Sequence, residues 1–311
     1  MSRYLNPYTD FGFKKLFGEE GSKDVLMDFL NTLLPAVHQI ASLTLQNPDR
    51  AADLPLERRA IFDIHCHTAQ GDRFVVEMQK ARIRYFKDRA LFYSTFPIRE
   101  QGKRGEWDFA LSPVYFVAVL DFFYDEEEEH AKLKREVQLM DQDCEQFYDK
   151  LTFIFIQMPA FKKTEAELVT HYDKWLYFLK HLPDFDQIPQ ILNEPVFQKA
   201  FHLTELSNLP PEERDVYDKN LIDYWSSVAA VETSYQEGLE KGRKEGRKEG
   251  REEGREEGKE EGMGIGYGQA AEDIASNLIV QTDMDDSQIA QLSGLPIPLV
   301  VALRRKIEAS K

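Results

Sequence analysis

The run from Ile61 to Lys80, IFDIHCHTAQGDRFVVEMQK, constrains the chain more than any other. It reads as two strands, 61–67 and 73–79, joined by a tight turn. Side chains alternate along a strand with period two, so Asp63, His65 and His67 share one face. Arg73, Val75, Glu77 and Gln79 share one face of the second strand. Phe74, Val76 and Met78 form its other face, which reads as core. Two loops satisfy the turn chemistry. A three-residue loop Ala69-Gln70-Gly71, with Gly71 in the left-handed region, pairs Thr68 with Asp72 and sets Asp63 across from Glu77. A two-residue loop Gln70-Gly71 pairs Asp63 with Met78 and sends Glu77 to the opposite face.

The first loop creates a site and the second creates none. Directly opposed residues lie roughly 5 Å apart at Cβ. Two carboxylates that close repel unless a cation or a proton lies between them. A hard divalent ion such as Mg²⁺ takes one or two carboxylates and keeps water or phosphate as its remaining ligands. Gln79, two residues beyond Glu77, points the same way.

An Asp ending an apolar strand, a hairpin, then Glu77-x-Gln79 resembles the PD-(D/E)xK nuclease core. More narrowly it resembles the bacterial recombination-promoting nuclease and transposase-like branch, in which Gln often replaces Lys. The stretch Thr9-Asp10-Phe11-Gly12-Phe13-Lys14-Lys15-Leu16-Phe17-Gly18 fits that branch, as do Pro113-Val114-Tyr115-Phe116, Leu120-Asp121-Phe122 and the Glu-Gly and Lys-Gly repeats near the end. The resemblance covers most of the chain. It implies an α/β fold, a restriction-endonuclease-like mixed sheet flanked by helices. It also implies a Mg²⁺-dependent deoxyribonuclease linked to recombination or a mobile element. Asp63 and Glu77 would hold Mg²⁺, with Mn²⁺ able to substitute, and Gln79 would orient water or a phosphate oxygen. Asp10, from a first helix that often adds an acid in this family, His65 and Lys80 are weaker candidates. The helix-cap role is the simpler account of Asp10. The branch usually carries Glu-Leu-Pro-Lys-Phe where this chain has Gln157-Met158-Pro159-Ala160-Phe161, which leaves Gln157 without a role. The competing reading is an inactive relative that binds DNA or oligomerises.

Charge bears on the partner. The chain carries a formal net charge of −16, which by itself argues against a polyanion. From Lys80 to Arg104, however, eight Lys/Arg face only Asp88 and Glu100, a local excess of six positive charges. A polyanion site needs that local field more than a favourable total. Arg82, Arg84, Lys87 and Arg89, mixed with Tyr85, Tyr93 and Phe96 on a helical pattern, are the expected DNA-phosphate contacts. No apolar run reaches the roughly 20 residues of a membrane span, and the start has no signal-peptide core. The two cysteines, Cys66 and Cys144, fit a reduced, cytoplasmic protein.

Four segments emerge. Residues 1–163 form the nuclease-like part, with helices over 8–34, strands near 42–45, 135–140 and 151–158, and the apolar run 114–120 as a buried central strand. Residues 164–236 are all helical, and their Trp and Tyr read as packing. In 237–268 glycines recur every four residues. A basic row (Arg243, Arg247, Arg251, Arg255, Lys259) and an acidic row (Glu245, Glu249, Glu253, Glu257, Glu261) flank them. Seven such glycines cost on the order of 7 kcal/mol against alanine in a helix, and charge pairs return a few tenths each. Two outcomes follow, a solvated spacer or a homodimer seam. If the seam forms it is parallel, because only then does basic face acidic. Residues 269–311 have the outline of a helix-turn-helix, a unit that either packs or reads DNA.

Overall fold

The three-residue loop is the one that forms. Thr68 N–H donates to the Asp72 carbonyl at 2.9 Å, Gly71 N–H donates to the Thr68 carbonyl at 3.1 Å, and Gly71 takes φ +97°. A Cβ there would also lie 3.0 Å from Ser112 Oγ. The computed structural model describes residues 2–35, 38–46, 64–80, 85–102, 105, 107–124 and 131–309. Strand β1 (Leu43–Gln46) pairs antiparallel with β2 (Ile64–Thr68), and β2 pairs antiparallel with β3 (Arg73–Gln79). Ile64 lies opposite Val76, His65 opposite Val75, Cys66 opposite Phe74 and His67 opposite Arg73.

Helix α3 (Phe86–Arg99) then carries the chain to β4 (Val114–Leu120), which runs parallel to β3. That crossover is the connection two parallel neighbours require. All seven residues of β4 are buried, as the unbroken apolar run requires of a strand covered on both faces. Strand β6 (Gln146–Gln157) is parallel to β4, and β5 (Lys134–Met140) closes the far edge antiparallel to β6. The described strands form one mixed sheet in the order β1-β2-β3-β4-β6-β5.

The period-two pattern sorts the apolar side chains onto two faces. Ile64, Cys66, Phe74, Val76, Val117 and Ile154 belong to a large cluster with residues of α1 (Asp10–Phe17), α2 (Lys23–Asn31), α4 (His171–His181) and α5 (Pro195–Thr204). Trp175 is fully buried there against Phe17, Phe29 and Phe197, so it is a packing residue as expected. Val75, Phe116, Ala118, Leu120 and Phe155 form the second cluster with Phe86, Ala90 and Phe96 of α3.

The short motifs explain themselves as joints. Thr9 caps α1, its Oγ1 accepting from Gly12 N–H at 3.0 Å. A Cβ on Gly12 would sit 2.2 Å from the Asn6 carbonyl oxygen, so only glycine fits. Asp121, at the end of β4, accepts from the Tyr224 hydroxyl at 3.0 Å. Gln157, which had no role, is fully buried. Its Oε1 accepts from Tyr124 N–H and its Nε2 donates to the Lys132 carbonyl, both at 2.8 Å.

Helix α6 (Pro211–Gln281) opens with Glu212 and Glu213 in its first turn and is helical through the glycine repeat. The chain divides into compact units at residues 1–233 and 234–311. In the second unit α7 (Asp286–Ser293), a turn with Gly294 at φ +77°, and α8 (Ile297–Glu308) enclose Ala275, Ile279, Ile289 and Val300. The first turn of α8 carries Ile297, Pro298 and Leu299, and Arg304 is paired with Asp286 at 2.6 Å. Among the described residues no helix is long and apolar enough to cross a membrane.

Gly71→Ala should lower stability by about 1–3 kcal/mol, the usual cost of a side chain in the left-handed region. Urea unfolding of the two proteins checks this, and an unchanged midpoint would contradict the turn.

Candidate active site

Glu77 is the pivot. It lies in mid-β3 on the face that α3 covers, beside Ala118 of β4, and is only 2% exposed. A charge buried to that degree needs close polar partners. Gln79 supplies one from the same face, its Nε2 donating to Glu77 Oε2 at 3.1 Å. Arg89 of α3 supplies the counter-charge, with Nη2 3.6 Å from the same oxygen. The Arg89 guanidinium also lies over the Tyr93 ring at 4.8 Å, one helical turn on.

A second polar group lies along the same face. Glu100, the residue that ends α3, accepts from Arg73 Nη1 at 3.2 Å. Its Oε2 is 3.8 Å from Nε2 of His65, which is buried. Burial and, secondarily, the nearby Arg73 cation push the His65 imidazole down to about 4, so the ring is neutral at pH 7. Burial raises the Glu100 carboxyl, and Arg73 and Arg99 oppose that shift. Glu100 carried no signal in the sequence beyond being one of two acids in a basic block. Its place depends on where α3 ends and on how that end returns to the sheet.

The remaining candidates are spread more widely. Lys80 follows β3 directly and is half-buried. Lys87 is exposed, with its ammonium 5.1 Å over the Tyr124 ring. Asp10 begins α1 and is exposed, on a helix whose apolar residues join the cluster on the other face of the sheet. Asp63, Arg82 and Arg84 lie outside the described residues. Among the described residues no group of three or more His, Cys, Asp or Glu is arranged to hold a metal ion.

Residues 7–234 match the family model described as PD-(D/E)XK nuclease family transposase. The chain belongs to that family. No curated protein and no solved structure matches it.

The PD-(D/E)XK signature spells a lysine two residues after its acid; two residues after Glu77 this chain has Gln79. Gln79 keeps the hydrogen-bonding reach and loses the charge. Arg89 brings a positive charge to the same carboxylate from another element.

The pairing of Glu77 with Arg89 is open to a double-mutant cycle. Arg89→Met should cost about 1–2 kcal/mol, less than a fully buried pair because Arg89 is partly exposed. Adding Glu77→Gln should return most of that loss. Equal, additive losses in chemical unfolding would show that the two side chains are uncoupled.

Proposed function

We propose that this chain is a metal-dependent DNA endonuclease that hydrolyses phosphodiester bonds, in the setting of recombination or a mobile element. The observation that carries the reading is the β2–β3 register. Ile64 opposite Val76 follows from the loop that leaves Thr68 facing Asp72. By the period-two pattern of the sequence, this proposal sets Asp63, which lies outside the described residues, opposite Glu77.

The donor chemistry agrees with a hard cation. Glu77 and Asp63 offer carboxylate oxygens and Gln79 an amide oxygen, the donor class that suits Mg²⁺ or Mn²⁺. Glu77 is also buried against Arg89, so the site already holds positive charge beside this carboxylate. Mg²⁺ or Mn²⁺, when bound by Asp63 and Glu77, supplies Lewis-acid polarisation of the phosphate and a more acidic water. Gln79 positions water or a phosphate oxygen by hydrogen bonding. An uncharged amide does little for an anionic transition state, so Arg89 takes the electrostatic part, drawing on its place beside Glu77. Lys87 adds positive charge for DNA phosphates, and Arg82 and Arg84, outside the described residues, are the further phosphate contacts of this proposal.

One observation favours the inactive-relative reading: the Gln79 amide already donates to Glu77, where the family signature has an ammonium. Plasmid cleavage separates the two. Wild-type protein should nick or linearise plasmid with Mg²⁺ or Mn²⁺ and stop when EDTA removes the metal. Asp63→Ala and Glu77→Ala should each lower the rate by about a hundredfold or more, since metal assistance is worth several kcal/mol. Cleavage that survives both substitutions would refute the assignment.

We also propose that α6 pairs with a second copy of the chain, parallel and in register. The glycines of the repeat meet nothing within 4 Å at an added Cβ among the described residues. The basic row lies on one side of them and the acidic row on the other, so a parallel partner meets opposite charge and an antiparallel partner meets like charge. In a Cys144→Ser background, Gly242→Cys should form a disulfide-linked dimer under mild oxidation. An antiparallel pair would set residue 242 against 258 and leave it monomeric on non-reducing gels.

A further inference from the structure

We propose that the outer surface of α3 and the loop after it binds single-stranded DNA, so that the substrate of the Glu77 site is an unpaired or frayed strand. This rests on the reading of that site as the one that handles phosphodiesters. The surface begins at the site itself. Arg89, 3.6 Å from Glu77, lies over the Tyr93 ring at 4.8 Å. Phe92 contacts Tyr93 at 6.2 Å and Phe96 at 5.2 Å between ring centroids. Arg99 lies over Phe96 at 5.2 Å. At Gly102 an added Cβ would come 3.8 Å from the Trp107 ring, and Trp107 meets Phe109 at 4.7 Å with planes tilted by 32°. A run of rings therefore starts beside a buried carboxylate, with the Arg89 and Arg99 guanidiniums set over Tyr93 and the buried Phe96. The helical part alone, from Arg89 to Arg99, spans roughly 15 Å, enough for more than one nucleotide.

Exposure shows which rings meet solvent. Phe92 is 54% exposed and Phe109 is 76% exposed, although both are large and apolar. Phe109 sits at φ +59°, a backbone region that side chains of its bulk rarely adopt. An exposed phenylalanine held in that conformation contributes little to folding, and such outliers cluster at functional positions.

The chemistry favours one occupant. Cations alone attract any nucleic acid through its phosphates, single or double. Exposed rings add a contact that only unstacked bases can make, because in a duplex the base faces are already covered. An apolar protein partner would use the rings and gain little from the cations between them. The local excess of six positive charges over residues 80–104, in a chain of net −16, matches a polyanion.

The test uses full-length wild-type protein in EDTA, so that binding is read without cleavage. Fluorescence anisotropy compares a labelled oligothymidine strand with a blunt duplex of equal length. The single strand should bind at least about tenfold more tightly. Phe92→Ala and Phe109→Ala should each weaken single-strand binding by roughly tenfold, the loss of one stacked ring, and leave duplex binding unchanged. Both residues are exposed, and unchanged thermal melting will show that the variants fold. Equal affinity for the two DNA forms, no affinity for either, or full single-strand affinity in the double variant would each overturn the proposal; the last would reassign the rings to a protein partner. Plasmid cleavage by Asp63→Ala and Glu77→Ala is scored separately, so failure of the nuclease reading leaves a signature distinct from failure of this one.

Discussion

A carboxylate sealed between a sheet and a helix is the constraint on which the rest of this molecule turns. Glu77 interrupts an otherwise apolar stretch of β3, with Val75 and Val76 before it and Met78 after it, all buried. Desolvating a charge there is expensive unless hydrogen bonds and an opposite charge stand beside it. Gln79 and Arg89 meet that need from two directions. Arg89 can do so only if α3 crosses directly over β3, and α3 does so because Phe86, Ala90 and Phe96 bury against Val75, Phe116 and Phe155. The parallel pairing of β3 with β4 and the placement of α3 over the carboxylate are thus one geometrical fact. A fold selected for stability alone would put an aliphatic side chain at residue 77.

Much of this was legible in the residues. Period-two alternation separated Glu77 and Gln79 from Phe74, Val76 and Met78, and the two sets do occupy opposite faces. The apolar run 114–120 was recognisable as a central strand because nothing in it could face water. The choice of loop was not legible, since both turns use Gly71 acceptably. The register that forms is seen in the Thr68 N–H bond to the Asp72 carbonyl at 2.9 Å and in Ile64 opposite Val76. The pairing of Arg89 with Glu77 was equally hidden. It joins residues twelve apart through a helix whose rotation depends on packing, and no spacing rule covers that case. Gln157 had no reading because its partners, Tyr124 N–H and the Lys132 carbonyl, are backbone groups of a connection whose path local sequence does not specify.

The position of α3 also reconciles an acidic chain with the polyanionic substrate proposed for it. Electrostatic attraction is set by charge within about a Debye length, roughly 8 Å at physiological salt, and distant acids are screened. Among the described residues, Lys80 follows β3, and Lys87, Arg89 and Arg99 belong to the crossover helix. Glu100, one of two acids in the basic block, is drawn toward Arg73 at 3.2 Å. Its negative charge is therefore largely compensated locally, beside the exposed cations Lys87 and Arg99 of α3.

The glycine repeat poses the opposite problem, a helix with too little to hold it. Seven glycines weaken it by on the order of 7 kcal/mol relative to alanine. Within the repeat the ion pairs are exposed and at four-residue spacing, as in Lys244 with Glu240, Lys241 with Glu245 and Lys248 with Glu252, the last two at 4.0 Å. Pairs of that kind return a few tenths of a kcal/mol each. A run this costly, kept in strict four-residue register with segregated charge rows, makes physical sense if the missing side chains are the point. Their absence lets another backbone approach closely, where van der Waals contact along the whole glycine row can offset the entropy that each glycine gives up. Small-residue rows achieve such close approach in lipid, where helix packing cannot draw on water exclusion. In water the same geometry would gain from desolvation as well, with the flanking charge rows setting the direction of the partner.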